Sequence, residues 1–336
     1  MKENELDEKV LLSVRNLEVQ YTSDGTVIHA VNGVSFDLKK GRVIGLVGET
    51  GAGKTTIAKS IMRILADPPG KITGGEIIFE GENLRELTEK KMQKIRGEKI
   101  SMIFQDPMTS LSPVFTVGDQ IAEMITTHSN MSKVDTMKMA MDMLERVGIP
   151  GERYGEYPHQ FSGGMKQRVI IAMALACKPE LVLADEPTTA LDVTIQAQVL
   201  DMITKLKNEY ETAMVMITHD LGIVAEVCDD VAVIYAGEIV EIGSKEDIML
   251  HPSHPYTQGL FESIPSLTDN VKRLKPIAGM PPDPSDLPKG CCFSPRCPYV
   301  RDECRKGKIA HTEISEGHLC RCIRYIAEGE QHAGVN

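Results

Sequence analysis

The chain has 336 residues, enough for one large α/β domain with an extension or for two domains. Its 42% hydrophobic and 25% charged residues are ordinary for a globular protein, and a formal charge of −11 argues against nucleic-acid binding as the main function, which calls for a basic face. No run of about 18 apolar residues occurs to cross a membrane as a helix, and the charged start Met1-Lys2-Glu3-Asn4-Glu5-Leu6-Asp7-Glu8 lacks the apolar core of an export signal.

Residues 11–21 and 30–38 alternate apolar and polar around Ser23-Asp24-Gly25-Thr26, which predicts an antiparallel hairpin with Tyr21 just before its turn. The apolar run Val43-Ile44-Gly45-Leu46-Val47 then enters Gly48-Glu49-Thr50-Gly51-Ala52-Gly53-Lys54-Thr55, and helical periodicity follows over 56–65. Strand, glycine-rich turn and helix in that order form a phosphate loop. Backbone N–H groups curl around a polyphosphate at a helix N-terminus, Lys54 reaches the β- and γ-phosphates, and the Thr55 hydroxyl ligates Mg²⁺.

Pro68-Pro69-Gly70 breaks the chain, and a short strand is predicted over 75–81. A buried strand over 100–104 ends at Gln105-Asp106-Pro107. Residues 117–147 read as helical, with Val134, Met137, Met141, Leu144 and Val147 on one face as core filling, and Gly148-Ile149-Pro150 ends the segment. Phe161-Ser162-Gly163-Gly164-Met165 precedes a helix over 166–176 and offers a second anion site at its start. The apolar run 181–184 ends in Asp185-Glu186-Pro187, as a central parallel strand with acidic groups at its carboxyl end would. A helix over 193–210, a strand over 213–217 followed by Thr218-His219-Asp220, and strands over 231–235 and 238–242 complete the block. The alternation predicts a mainly parallel sheet with helices on both faces, and ligands at the strand carboxyl ends beside Gly48, Gln105, Asp185 and His219.

On an extended backbone the adjacent Asp185 and Glu186 side chains diverge. Asp185 is then free to hold Mg²⁺ through water, while Glu186 faces the γ-phosphate and deprotonates or orients the attacking water. Gln105 has the reach for both metal and water, and His219 for the γ-phosphate.

Beyond Gly243, Ser244-Lys245-Glu246-Asp247 begins a short helix, but from His251 proline and glycine dominate, and Pro276, Pro281, Pro282, Pro284 and Pro288 mark a loop or extended linker. Six of the eight cysteines, Cys291, Cys292, Cys297, Cys304, Cys320 and Cys322, fall within 32 residues; Cys177 and Cys228 sit in helical patterns as buried thiols. The tail has too little apolar sequence to fold alone, so a staple of some kind is expected. Four thiolates hold either zinc or an iron–sulfur cluster; the spacing is not that of paired C-x₂-C zinc sites, and Pro298 directly after Cys297 matches the Cys-Pro of cluster-binding runs.

The order of these motifs resembles the ATP-binding subunit of an ABC transporter. Gly48 to Thr55 correspond to Walker A, Gln105 to the Q-loop, Phe161 to Met165 to the signature, Leu181 to Asp185 to Walker B, Glu186 to the catalytic glutamate, Ala190-Leu191-Asp192 to the D-loop and His219 to the switch histidine. The resemblance implies that Tyr21 stacks on adenine. It also implies that Gly48, Thr50, Gly51, Ala52, Gly53, Lys54, Thr55 and Thr56 contact the nucleotide. Ser162, Gly163, Gly164 and Asp192 would complete the ATP site of a second subunit. The signature reads Phe-Ser-Gly-Gly-Met where Leu-Ser-Gly-Gly-Gln is usual, with the phosphate-facing serine and glycines kept.

Pro158-His159-Gln160-Phe161, Thr188-Thr189-Ala190-Leu191-Asp192-Val193-Thr194, His254-Pro255-Tyr256-Thr257 and Pro288-Lys289-Gly290-Cys291 are similar to the oligopeptide and dipeptide importer branch, which also contains nickel importers. The implied architecture is an α/β P-loop NTPase core of RecA-like type with an antiparallel β subdomain and a helical subdomain at about 106–165. Together these form a nucleotide-binding domain over 1–243, followed by a cysteine-rich C-terminal extension over 244–336. In that branch the tail pattern is Gly-Cys-x-Phe, Arg-Cys-Pro, then two further cysteines. This implies Cys291, Cys297, Cys304 and Cys322 as ligands of a [4Fe–4S] cluster, with zinc or free thiols as the other readings and Cys292 and Cys320 as substitute ligands. The resemblance further implies a head-to-tail dimer with a similar or identical ATPase, two membrane-spanning permease subunits, an extracytoplasmic solute-binding protein, and a peripheral place on the cytoplasmic face of the membrane. The competing function is a soluble ABC ATPase in DNA repair or translation; a regulator that hydrolyses nothing is disfavoured by Glu186 and His219.

Overall fold

A computed structural model describes residues 9–189, 191–263 and 276–326; Ala190 and residues 1–8 lie outside the described residues. The chain contacts divide into two units, one of Met1–Leu12, Leu38–Val43 and Phe79–Ile217, the other of Ser13–Asp37, Ile44–Ile78 and Thr218–Asn336.

In the first unit the strands Ile100–Ile103, Leu181–Asp185 and Ala213–Thr218 run parallel, with Ile100 opposite Leu181 and Leu181 opposite Ala213. Every residue of the three is buried, which is why each reads as a mainly apolar run, with Ser101, Asp185 and Thr218 as its polar members, rather than an alternation. The segment predicted as one helix is two, Val117–His128 and Lys133–Arg146. Ser132 starts the second by accepting from the Asp135 N–H at 3.2 Å. The predicted core face of this second helix is corrected. Val134 and Met137 are exposed, at 63% and 45%, while Thr136, Ala140, Met143, Leu144 and Val147 are buried. Leu144 and Val147 lie in the core as predicted, but methionines at every second position from 137 to 143 supply apolar residues to more than one helical face, so periodicity alone misplaced the N-terminal part of the stripe. The helix after the Ser-Gly-Gly starts earlier than predicted, at Gly163–Leu175, and Val193–Tyr210 is as predicted.

The predicted hairpin forms from Val10–Ser23 and Thr26–Lys39, with its turn end in the second unit, joined by Asp24 and Gly25, both at positive φ as a tight two-residue turn demands. The strand expected over 75–81 is longer, Gly70–Phe79, because it starts directly after Pro69. Val43–Val47 pairs in parallel with Asp230–Tyr235, which turns back antiparallel into Glu238–Ser244. The α/β core therefore carries a mixed sheet. Ser244 caps the short helix Lys245–Leu250.

Two elements beyond His251 were not read from the sequence. The helix Pro255–Glu262 has Pro255 at its first position, and His254 caps it, Nδ1 accepting from the Tyr256 N–H at 3.1 Å. Complete burial lowers the His254 pKa to about 3, so the ring is neutral and able to accept that bond. The second is the small hairpin Thr312–Ser315 and His318–Cys320, which adds to the sheet through Glu241 opposite Cys320.

Candidate functional site

The phosphate loop lies in the second unit. A Cβ on Gly48 would sit 2.1 Å from the Ile234 carbonyl oxygen, so only glycine fits where the loop leaves the buried strand. The loop ends in the helix Lys54–Met62, whose first N–H groups have no partner within the helix and face an anion by default. Lys54 is buried, and its Nζ donates to the Gly48 and Glu49 carbonyls at 2.7 and 2.9 Å. Its charge is thus held within the loop, close to where phosphate would lie. Thr50 and Gly51 are exposed, Ala52 is buried, and Gly53 and Thr55 are intermediate. The Tyr21 hydroxyl lies 3.3 Å from the Thr56 Oγ1, which fixes the aromatic ring beside the start of the same helix. His219 is exposed directly after the strand Ala213–Thr218, and Asp220 caps the next helix by accepting from the Gly222 N–H at 2.8 Å.

The first unit gathers the acidic groups. Asp185 is buried at the end of its strand. Glu186 is not on extended backbone as expected: its φ is 46°, in the left-handed region, and its N–H donates to the Ile217 carbonyl at 2.9 Å. The Glu186 carboxylate is therefore directed by a turn rather than by strand alternation. The Glu186 Oε2 accepts from Gln105 Nε2 and from Thr189 Oγ1, each at 2.8 Å. Two residues picked from the sequence, Gln105 and Glu186, thus meet although 81 residues separate them. Thr189 was missed, since nothing marks it apart from its neighbour Thr188. Below the turn, Gln167 Nε2 donates to the Pro187 carbonyl at 2.6 Å in a buried bond. Ser162, exposed, caps the helix Gly163–Leu175 by accepting from the Met165 N–H at 3.4 Å, leaving Gly163 and Gly164 at the helix start. Asp192 caps Val193–Tyr210, accepting from the Ile195 N–H at 3.0 Å.

The model of the ABC transporter family matches residues 31–189, and that of the oligopeptide/dipeptide transporter C-terminal region matches residues 240–304. The chain is 50% identical over 317 residues to the dipeptide transport ATP-binding protein DppD of Bacillus subtilis, covering 94% of both chains. The chain belongs to the ABC transporter family. Within it, this ATPase is 48% identical to the oligopeptide transport ATP-binding protein OppD of Haemophilus influenzae, over 93% of this chain and 96% of the relative. A dimeric ATP-binding cassette in a post-hydrolysis state bound to ADP and Pi is similar in structure, with a TM-score of 0.64 at 27% identity, over 70% of this chain and 99% of the other.

The tail of this ABC ATPase sorts its cysteines into two groups. Cys291, Cys297, Cys304 and Cys322 line one small cavity, together with Phe293, Ile309 and Ile323. Burial pushes the Cys291 thiol up to about 12 and raises Cys297 and Cys322 as well, and within the group the thiols raise one another further. Cys292 and Cys320 face elsewhere, beside Glu238 and Glu241. A Cβ on Gly290 would lie 2.1 Å from the Cys304 carbonyl oxygen, which accepts the Cys291 N–H at 2.8 Å; the glycine before Cys291 is what lets these two segments close. Among the described residues, no three or more His, Cys, Asp or Glu side chains converge tightly enough for a single metal ion.

Sequence reasoning also missed the polar groups that tie the tail down. Glu241 is fully buried and accepts from the Ser253 and His254 N–H groups at 2.7 and 2.9 Å, with His318 Nε2 at 2.8 Å. A glutamate at an alternating strand position carries no sequence signal for burial. Arg296 reaches Glu49 of the phosphate loop, a contact across 247 residues.

Proposed function

We propose that this subunit hydrolyses Mg-ATP to drive import of dipeptides or oligopeptides. A second ATP-binding subunit, similar or identical, would complete each ATP site in a head-to-tail dimer. Two membrane-spanning permease subunits would form the path, with an extracytoplasmic solute-binding protein delivering peptide and this subunit peripheral on the cytoplasmic face. The observation that carries the hydrolytic reading is the Glu186 carboxylate, aimed by Gln105 and Thr189 at the end of a buried parallel strand. A carboxylate so fixed accepts the proton of a water as that water forms its bond to the γ-phosphorus and the bond to the ADP oxygen breaks. Lys54 neutralises the β- and γ-phosphates, His219 donates to the γ-phosphate, Tyr21 stacks on adenine, and the N–H groups from Thr50 to Thr56 cradle the phosphates. Thr55, Gln105 and Asp185 would hold Mg²⁺, which offsets the charge on the transferring phosphoryl group. Ser162, Gly163, Gly164 and Asp192 would serve the partner's nucleotide.

The peptide branch is supported by identity of about half over nearly the whole length of dipeptide and oligopeptide transport ATP-binding proteins. In this reading residues 1–243 form the nucleotide-binding domain, with an antiparallel β subdomain and a helical subdomain at about 106–165. Residues 244–336 form a cysteine-rich extension. Four of its cysteines line one cavity with Phe293, Ile309 and Ile323, and four thiolates are the ligand set of a [4Fe–4S] cluster, which this reading assigns to them. Bound there, the cluster would supply a redox-sensitive staple. The transport reading is tested in vesicles reconstituted with the permease subunits and a partner ATPase. ATP-dependent uptake of a dipeptide, lost with Lys54→Ala, is expected; ATP turnover that no peptide stimulates, with uptake of nickel instead, would overturn it.

A further inference from the structure

We propose that Arg296 is a positioning residue for the phosphate loop, holding Glu49 so that an intact cysteine tail is a condition for tight ATP binding. The inference rests on the reading of Gly48 to Thr55 as the ATP-binding loop. Every N–H of the Arg296 guanidinium is used. Nη1 and Nη2 grip Glu49 Oε2 and Oε1 at 3.0 and 3.1 Å, Nη1 also donates to the Tyr235 hydroxyl at 3.2 Å, and Nη2 and Nε donate to the Ile277 and Ala278 carbonyls at 3.2 and 3.0 Å. The arginine side chain is 5% exposed, so the forked pair works where water screens it little.

Glu49 is held by its backbone too. Its N–H donates to the Tyr256 hydroxyl at 3.0 Å, and its carbonyl accepts from Lys54 Nζ. One residue therefore joins the tail to the lysine that meets phosphate. Tyr256 and Tyr235 are themselves fixed, packed with Phe293 in a buried aromatic cluster whose ring centres lie 4.6 to 5.5 Å apart.

The other end of the connection is the cysteine cavity. Arg296 directly precedes Cys297. The turn that presents it is closed by Ser294 N–H to the Cys291 carbonyl and Arg296 N–H to the Phe293 carbonyl, both at 2.9 Å. Cys291, Phe293 and Cys297 all line the cavity. The same short turn thus sets both the thiols and the guanidinium. If the thiols lose their arrangement, Arg296 loses its aim, and Glu49 and the loop lose their anchor. A lysine cannot replace this fork, since it offers one point charge and no bidentate geometry.

The test is an equilibrium titration of the full chain with a slowly hydrolysed ATP analogue and Mg²⁺, on wild type, Arg296→Lys, Glu49→Gln and the double variant. Each single variant is expected to bind about tenfold more weakly, and the double variant no more weakly than either. In turnover assays KM for ATP should rise while kcat at saturating ATP stays. Glu49→Gln lies outside the tail and leaves every cysteine in place, so it weakens binding without disturbing the tail. Lys54→Ala in the same titration separates the two readings. If it binds like wild type, the phosphate-loop reading fails. If it loses binding while Arg296→Lys and Glu49→Gln match wild type, or if the double variant multiplies the defects to about a hundredfold, the positioning role is overturned.

Discussion

At Gly48 the Ile234 carbonyl leaves no room for a side chain, and a methyl group there would have to push a buried strand or the phosphate loop aside. Gly48→Ala is therefore expected to weaken ATP binding by at least about tenfold, corresponding to some 1.4 kcal/mol of lost loop geometry, while circular dichroism stays that of wild type. Wild-type affinity in a nucleotide titration would show that the loop tolerates the shift. This residue was legible in the sequence because the chemistry of phosphate binding confines its glycines and its lysine to one short stretch. Gln105 and Glu186 were legible for a related reason, since each follows an apolar strand at the edge where ligands collect. Glu49 and Arg296 were not, because a bond across 247 residues leaves no local pattern. Thr189 escaped because a hydroxyl three residues from Glu186 acquires meaning only once the left-handed turn at Glu186 is known.

At the scale of elements, Lys133–Arg146 shows what periodicity can and cannot settle. Its helical character and its glycine-bounded end follow from local residues, but its separate start at Ser132 was not read, and four alternating methionines leave the buried face open. Burial of Met143 at 2% exposure against 45% for Met137 assigns the face. Met143→Ala should cost about 2–5 kcal/mol of unfolding free energy, and Met137→Ala should stay within about 0.5 kcal/mol. Denaturant titration of the two variants checks this, and equal midpoints would contradict the assigned face. The helix Pro255–Glu262 was overlooked because its cap is a histidine, which serves only when neutral. Its proline start was read as a loop signal, although proline at a first helical position is favourable.

For the molecule as a whole, the proposed roles of Lys54 in binding phosphate and of Glu186 in activating water require both for turnover but only Lys54 for nucleotide binding. The tail adds a further requirement. On the cluster reading proposed above, protein purified without oxygen is expected to carry about four irons and matching sulfide per chain. Cys297→Ser should lower that content, whereas Cys320→Ser should leave it unchanged. Iron-free, zinc-free protein with the same thermal stability would leave the tail a packed thiol cluster. The most direct test of the central claim is to compare Glu186→Gln with wild type in ATP binding and in steady-state hydrolysis. The account predicts wild-type affinity for Mg-ATP with turnover reduced by at least about a hundredfold, the share a positioned general base supplies. Turnover at the wild-type rate would contradict it.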